Sequence, residues 1–75
     1  MHNLNGFNYF MVTALLSMAG FKFYKEICSG YEVWVNSHTG KNFLIMKISN
    51  NFSEEYLLGL LKQAGLTCEE FLSLA

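Results

Sequence analysis

The side chains that could act as acid, base, nucleophile or metal ligand are few and widely separated in this sequence. The two histidines are His2 and His38, and the two cysteines are Cys28 and Cys68. A metal site made from these four would need four separate segments to converge, without the paired spacing that zinc ligands show. We therefore predict no metal site and no cofactor.

His38 is the best candidate for catalysis, but its surroundings argue against that role. It stands in the run Ser37-His38-Thr39-Gly40-Lys41, which is typical of a turn. A general base needs a partner group and a substrate pocket within hydrogen-bond reach. The simpler interpretation is a turn residue in solvent. We assign no catalytic residue, and leave enzymatic activity open.

The cysteines and the first apolar run bear on the compartment. Small secreted domains tend to be rich in cysteine, so we predict that Cys28 and Cys68 are small buried apolar residues in a reducing compartment. A single disulfide is the alternative. The apolar run from Phe7 to Ala19 follows no Lys or Arg and is too short to span a bilayer. We expect a cytoplasmic protein with no membrane partner.

Three short runs between Phe21 and Ile48 are rich in β-branched and aromatic residues. They read FKFYKEIC, YEVWVN and NFLIMKI, and the breaks between them contain Gly30 and Gly40. Alternation with a period of two and Gly-containing breaks predicts an antiparallel three-stranded meander.

The alternation sorts the side chains of these runs onto two faces, because successive strand residues point to opposite sides. The predicted core face is apolar and collects Phe21, Phe23, Val33, Val35, Phe43 and Ile45. The opposite face is mixed and collects Lys22, Tyr24, Glu26, Glu32, Trp34, Asn36, Asn42, Leu44 and Met46. Solvent faces of such sheets are usually polar, so the apolar residues on this mixed face are candidates for contact with a partner.

This band of Tyr24, Trp34, Leu44 and Met46 has three interpretations. It could bind a protein or a second copy of the chain, since Trp and Tyr commonly anchor such contacts. It could stack RNA bases, with phosphates held by Lys22, Lys25, Lys41 or Lys47. It could also be covered by residues 1–10 or by the last helix.

Helices are predicted on both sides of the strands. Residues 8–19 contain no charged residue, and a helix that is apolar all round is buried on more than one side. We expect Leu15, Leu16 and Ala19 to face the core, and another chain to cover the second side. Gly20 is the predicted helix stop. Residues 1–7 read as a loose lead-in.

Two further helices are predicted after the strands. The first covers residues 54–64, with Ser53 as N-cap and an apolar face of Leu57, Leu60, Leu61 and Ala64. Gly59 within it suggests a close packing contact. The second covers residues 68–74 behind a capping box from Thr67 to Glu70. The whole chain is predicted to form one α+β domain with two layers.

The composition predicts that apolar surface stays exposed. Hydrophobic residues make up 52% of the 75 residues and charged residues only 15%, too few to cover so small a domain. All five basic residues are lysines, and the absence of arginine weakens a nucleic-acid function. We expect a homo-oligomer or a small protein partner, with RNA as the alternative.

Two segments resemble the HicA family of small toxin-type proteins. They are the corner LSMAGFKF, at Leu16 to Phe23, and the C-terminal run LLGLLKQAGLTCEEFLSL. The family has a similar Ala-Gly-Phe corner, and a Gln-Ala-Gly-Leu type turn before a short acidic helix. The resemblance covers about residues 9–74. It implies a double-stranded-RNA-binding-like fold and a messenger-RNA-cleaving ribonuclease held in check by an antitoxin.

The sequence departs from the family at the residue that would do the chemistry. The family places its catalytic histidine in a Gly-Ser-His motif where the second strand begins, whereas this chain reads Cys28-Ser29-Gly30-Tyr31. A later histidine of many relatives is replaced by Lys47-Ile48-Ser49. We predict a divergent HicA-like domain without catalysis that acts by contact with an antitoxin-like partner or a second copy. The alternative is an RNA-binding or weakly active messenger-RNA-cleaving toxin.

Overall fold

The computed structural model describes residues 4–75, which form three strands and three helices. In chain order the elements are α1 (Tyr9–Met18), β1 (Phe21–Cys28), β2 (Tyr31–Asn36), β3 (Asn42–Met46), α2 (Glu54–Ala64) and α3 (Cys68–Leu72). The strands form one antiparallel sheet in the order β1-β2-β3. The predicted α+β layout, with one helix before the sheet and two after it, is confirmed.

The helix ends follow the capping chemistry of the sequence. The Ser53 side chain accepts a hydrogen bond from the Tyr56 N–H at 3.1 Å, and Thr67 and Glu70 form the reciprocal capping box. α2 ends at Gly65, whose φ of 77° is left-handed. Gly20, after α1, has a φ of 106°, and a methyl group there would lie 3.0 Å from Asn36 Nδ2. The backbone conformation favours glycine at both stops, and the close approach of Asn36 adds a steric reason at Gly20.

The core lies between the helices and one face of the sheet. The predicted face of α2 is confirmed, because Leu57, Leu60, Leu61 and Ala64 are all buried. α1 differs in part from the prediction. Its buried residues are Tyr9, Val12, Thr13 and Leu16, whereas Leu15 and Ala19 are half-buried.

The segment before α1 is packed where the structure describes it. Leu4 is fully buried, and the Phe7 carbonyl accepts a hydrogen bond from the Phe52 N–H at 2.9 Å. The Phe7 ring meets the Phe71 ring edge-on at 5.1 Å. The expectation of a loose lead-in is therefore wrong for these residues, because two apolar side chains tie them to the core. Residues 1–3 of that lead-in lie outside the described part.

The face assignment of β2 is wrong by one residue. Phe23 pairs with Trp34, and Trp34 pairs with Phe43. Directly paired residues share a face, so Trp34 lies on the helix side with the buried Phe43. Val33 and Val35 lie on the opposite face, which we call the open sheet face. They are half-buried instead of being in the core.

Hydrogen bonds explain why β2 turns its polar residues inward. Glu32 and Asn36 are both buried on the helix side. Asn36 Nδ2 donates to the Ala19 carbonyl at 3.1 Å, and its Oδ1 accepts from the His38 N–H at 2.9 Å. Burial of a polar group costs little when such partners replace water. The alternation of apolar and polar residues along a strand cannot predict such hydrogen bonds, and so it places these polar residues on the solvent face.

Gly59 makes no close packing contact. A methyl group at this position would meet no atom within 4 Å beyond its own stretch of helix, and the residue is exposed. The expectation of a tight neighbour is therefore wrong. Gly59 is a weak point of an otherwise regular helix.

Candidate contact surface

The structure separates the four residues that the sequence grouped into one band. Trp34 lies on the helix side of the sheet, while Leu44 and Met46 lie on the open sheet face, paired with Val33 and Tyr31. Tyr24 occupies a bulge of β1 and is 61% exposed. The band is therefore not a single surface, although Leu44 and Met46 remain neighbours on one strand.

Trp34 is held in an aromatic and polar environment beneath α1. Its ring lies nearly parallel to that of Phe43, with centroids 6.3 Å apart, and edge-on to Phe23 at 6.1 Å. Its Nε1 donates to Glu32 Oε1 at 3.0 Å. Trp34 is half-buried and supports the fold, so it cannot be the centre of an exposed contact surface.

Glu32 connects α1 to the middle of the sheet. The same Oε1 that accepts from Trp34 accepts from the Tyr9 hydroxyl at 2.5 Å. Burial, and then the bond to Glu32, raise the pKa of Tyr9 to about 12. This pair could not be predicted from the sequence, because Tyr9 and Glu32 are 23 residues apart and neither has a local signal that points to the other.

The two edge strands of the sheet end in different ways. At β3 the Leu44 N–H donates to Gln63 Oε1 at 3.2 Å, and the Met46 N–H donates to the Tyr56 hydroxyl at 2.9 Å. Burial raises the pKa of Tyr56. At β1, Phe21 is buried and the remaining seven residues are exposed. α2 therefore closes one edge, and the other edge faces solvent.

The four lysines considered as phosphate contacts do not form one patch. Lys22 and Lys25 are exposed on β1, and Lys25 Nζ lies 5.6 Å from the centre of the Tyr24 ring. Lys41 precedes β3 and packs beside Gly65, at the end of α2. Lys47 follows β3 and its Nζ lies 5.8 Å from the centre of the Tyr9 ring. Only the pair on β1 is contiguous.

The two most exposed large apolar side chains of residues 4–75, Phe10 and Met18, stand on one side of α1. We call this side the outer face of α1; it consists of Phe10, Met11, Ala14, Ser17 and Met18. Phe10 is 70% exposed, Met18 69% and Met11 44%. The Ser17 hydroxyl donates to the Thr13 carbonyl at 2.7 Å, so it is satisfied within the helix. No charged residue interrupts this face.

A shallow depression adjoins the N-terminal end of this face. It has a volume of about 220 Å³ and is lined by Tyr9, Phe10, Lys47, Ile48 and Ser49. Ile48 is 37% exposed and extends the apolar surface beyond the helix. The outer face of α1 and this depression together form the candidate contact surface.

The candidate chemical residues are scattered. His38 is exposed in the β2–β3 turn, Cys28 is exposed at the end of β1, and Cys68 is half-buried in α3. The prediction of burial is therefore wrong for Cys28, which sits at a strand end beside a turn. Both cysteines are free. Within residues 4–75, no three His, Cys, Asp or Glu side chains are grouped to hold a metal ion.

Comparison with known proteins gives no relative. No protein family, curated protein or solved structure matches this chain. In the part of the chain from Leu4 onward, no helix is long and apolar enough to cross a membrane.

Proposed function

We propose that this chain is a protein-contact domain that binds another polypeptide through the outer face of α1. The observation that carries the proposal is the exposure of Phe10 and Met18, at 70% and 69%, on a helix with no charge. Scattered apolar residues are normal on a surface, whereas a contiguous apolar patch marks an interaction site. This face exceeds the open sheet face in exposure, where Tyr31 and Leu44 reach 39% and 36%.

We propose further that the domain is a divergent, non-catalytic relative of the HicA-like toxins. The order of helices and strands and the glycine stop before Phe21 support this assignment. Ser29-Gly30 stands where the family has its catalytic histidine, and His38 is exposed in a different turn. The partner would be an antitoxin-like polypeptide or a second copy, in the cytoplasm.

RNA binding is the second candidate, and it uses a different surface. Tyr24 is exposed on β1, Lys25 Nζ lies over its ring, and Lys22 is on the same strand. An exposed aromatic ring next to cations is the arrangement that stacks bases of single-stranded nucleic acid. Its affinity would fall steeply with salt, whereas apolar docking through α1 would not.

Photo-cross-linking in cells tests which surface is used. A benzophenone amino acid replaces Met18 in one variant, Tyr24 in a second, and Leu58 in a third as control. Leu58 is 42% exposed on α2, a helix that contributes to neither surface. The proposal predicts one defined protein adduct at position 18 and none at position 58.

The adducts are identified by mass spectrometry and by nuclease treatment. A nuclease-sensitive adduct at position 24, with none at position 18, would overturn the contact function in favour of RNA binding. Equal protein adducts at positions 18 and 58 would show that exposed apolar side chains cross-link without specificity. This result would also overturn the proposed contact function.

A further inference from the structure

We infer that the outer face of α1 binds a second copy of this chain, with the two helices antiparallel about a two-fold axis close to Ala14. This inference rests on the proposed contact function and names its partner. It is carried by the spacing of the exposed side chains, by a depression that matches one of them, and by the charges at the helix ends.

The exposed side chains are arranged symmetrically about Ala14. Phe10 precedes it by four residues and Met18 follows it by four, so the three form one ridge of the helix. Ala14 is exposed at the middle of the face, and its small side chain lets a second helix approach closely. In an antiparallel pair, Phe10 of each copy therefore lies opposite Met18 of the other.

The depression next to Phe10 lies where the two-fold axis would place the Met18 side chain of the second copy, and it can accommodate that side chain. Met18 of the second copy would arrive beside Phe10, where Tyr9 and Ile48 also line the wall. Methionine fills irregular apolar gaps, and its sulfur makes favourable contacts with aromatic rings. Each copy thus offers a projecting Met18 at one end and a recess for it at the other.

The charges favour the antiparallel arrangement over a parallel one. α1 has no acidic residue in its first turn and no basic residue in its last, so its end charges are not neutralised from within the helix. An antiparallel pair sets the positive N-terminal end of each helix beside the negative C-terminal end of the other. Lys47, over the Tyr9 ring, would then face the C-terminal end of the second α1.

The small area available limits a dimer through this face to a weak and reversible one. At roughly 200 Å² for a large side chain, Phe10, Met11 and Met18 expose on the order of 350 Å² per copy. The two copies together remain below the roughly 1,200 Å² of a stable interface. The pairing should therefore depend on concentration, over roughly 10 µM to 1 mM.

Sedimentation velocity of the purified full chain tests the inference. We expect the wild type to shift from monomer to dimer across this concentration range. Ala14→Glu places two like charges at the axis and should weaken the dimer about tenfold or more. Leu58→Glu adds the same charge to an exposed apolar position of α2 and should leave the equilibrium unchanged. Circular dichroism checks that both variants are folded.

A charge-pair experiment tests the antiparallel register. Phe10→Glu and Met18→Lys should each weaken self-association when studied alone. Mixing the two variants should restore dimers, because the mixed pair sets Glu against Lys at one end and keeps Phe against Met at the other. Failure of the mixture to form more dimer than either variant alone would overturn the register.

Different results would overturn the pairing with a second copy and the proposed contact function. A wild type that stays monomeric at about 1 mM, or a dimer that Ala14→Glu does not weaken, overturns the second copy as partner. If position 18 then still cross-links to one other polypeptide in cells, the contact function stands with a different partner. If position 18 gives no protein adduct either, both fall.

Discussion

The two sides of this small domain differ in how much apolar and edge-strand surface they leave exposed to solvent. On the β3 side, α2 buries a full apolar face and its Tyr56 and Gln63 side chains satisfy the free N–H groups of the edge strand. On the α1 side, the edge strand β1 is exposed and the helix turns Phe10 and Met18 to solvent. The difference indicates that stability is concentrated in the α2 side, whereas the α1 side keeps the apolar surface for which we propose a contact function.

The sharpest test of this comparison truncates one apolar side chain on each side. Leu60 of α2 is 1% exposed, so Leu60→Ala removes buried contacts and should lower the free energy of unfolding by about 2–5 kcal/mol. Met18→Ala removes a side chain that is 69% exposed and should cost less than about 0.5 kcal/mol. Urea unfolding measures both. Equal losses would contradict the division between the two sides.

A smaller effect is expected where α1 is fastened to the sheet. Tyr9→Phe removes the hydroxyl that donates to Glu32 and leaves the buried carboxylate with Trp34 alone. We expect a loss of about 1–3 kcal/mol in the free energy of unfolding. Tyr24→Phe is the matched control, because Tyr24 is 61% exposed, and it should change little. If the two variants lose the same amount, the Glu32 contact does not hold α1 in place.

The same tyrosine gives the domain a pH dependence in the alkaline range. The folded state raises the pKa of Tyr9 from 10.0 to about 12, so folding favours the protonated phenol. This stabilisation is fully present below pH 10 and is lost as the pH rises towards 12. The difference in stability between wild type and Tyr9→Phe should therefore shrink between pH 10 and 12. A difference that stays constant over this range would contradict the raised pKa.

Two Gly to Ala substitutions should change the free energy of unfolding in opposite directions. Gly20→Ala puts a side chain at a φ of 106° and against Asn36, and should cost about 1–3 kcal/mol. Gly59→Ala meets no neighbour on the exposed side of α2 and should stabilise the domain by about 0.5–1 kcal/mol. Thermal unfolding shows whether the melting temperature of each variant lies above or below that of the wild type. A destabilised Gly59→Ala would indicate a contact that the structure does not contain.

The elements were largely predictable from local signals, because caps, glycine stops and periodicity act within a few residues. Ser53, Thr67 and Gly20 predicted helix ends that the structure contains. The faces of β2 were not predictable, since the buried Glu32 carboxylate accepts from Tyr9, which is far along the chain, as well as from Trp34. An alternating pattern gives the period of a strand, and long-range hydrogen bonds decide which half of it faces the core.

The candidate surface was predictable only in outline. The charge-free first helix predicted a second apolar side, and the structure shows that side exposed at Phe10 and Met18. That another chain covers it stays a prediction. The band around Trp34 was misplaced because it depended on the face assignment of β2. A helix needs no partner strand to define its faces, so the second apolar side of α1 was predictable, although Leu15 and Ala19 are half-buried and only Leu16 of the expected core residues is buried.

The methyl groups of the methionines can show whether the outer face of α1 is the contact surface. Met11 and Met18 lie on this face, whereas Met46 lies half-buried on the open sheet face. In a methyl NMR spectrum of methionine-labelled protein inside cells, we predict that the Met11 and Met18 signals shift from their positions in dilute purified protein, while Met46 does not. Unchanged Met11 and Met18 signals, or a shift confined to Met46, would show that the outer face of α1 is not the contact surface.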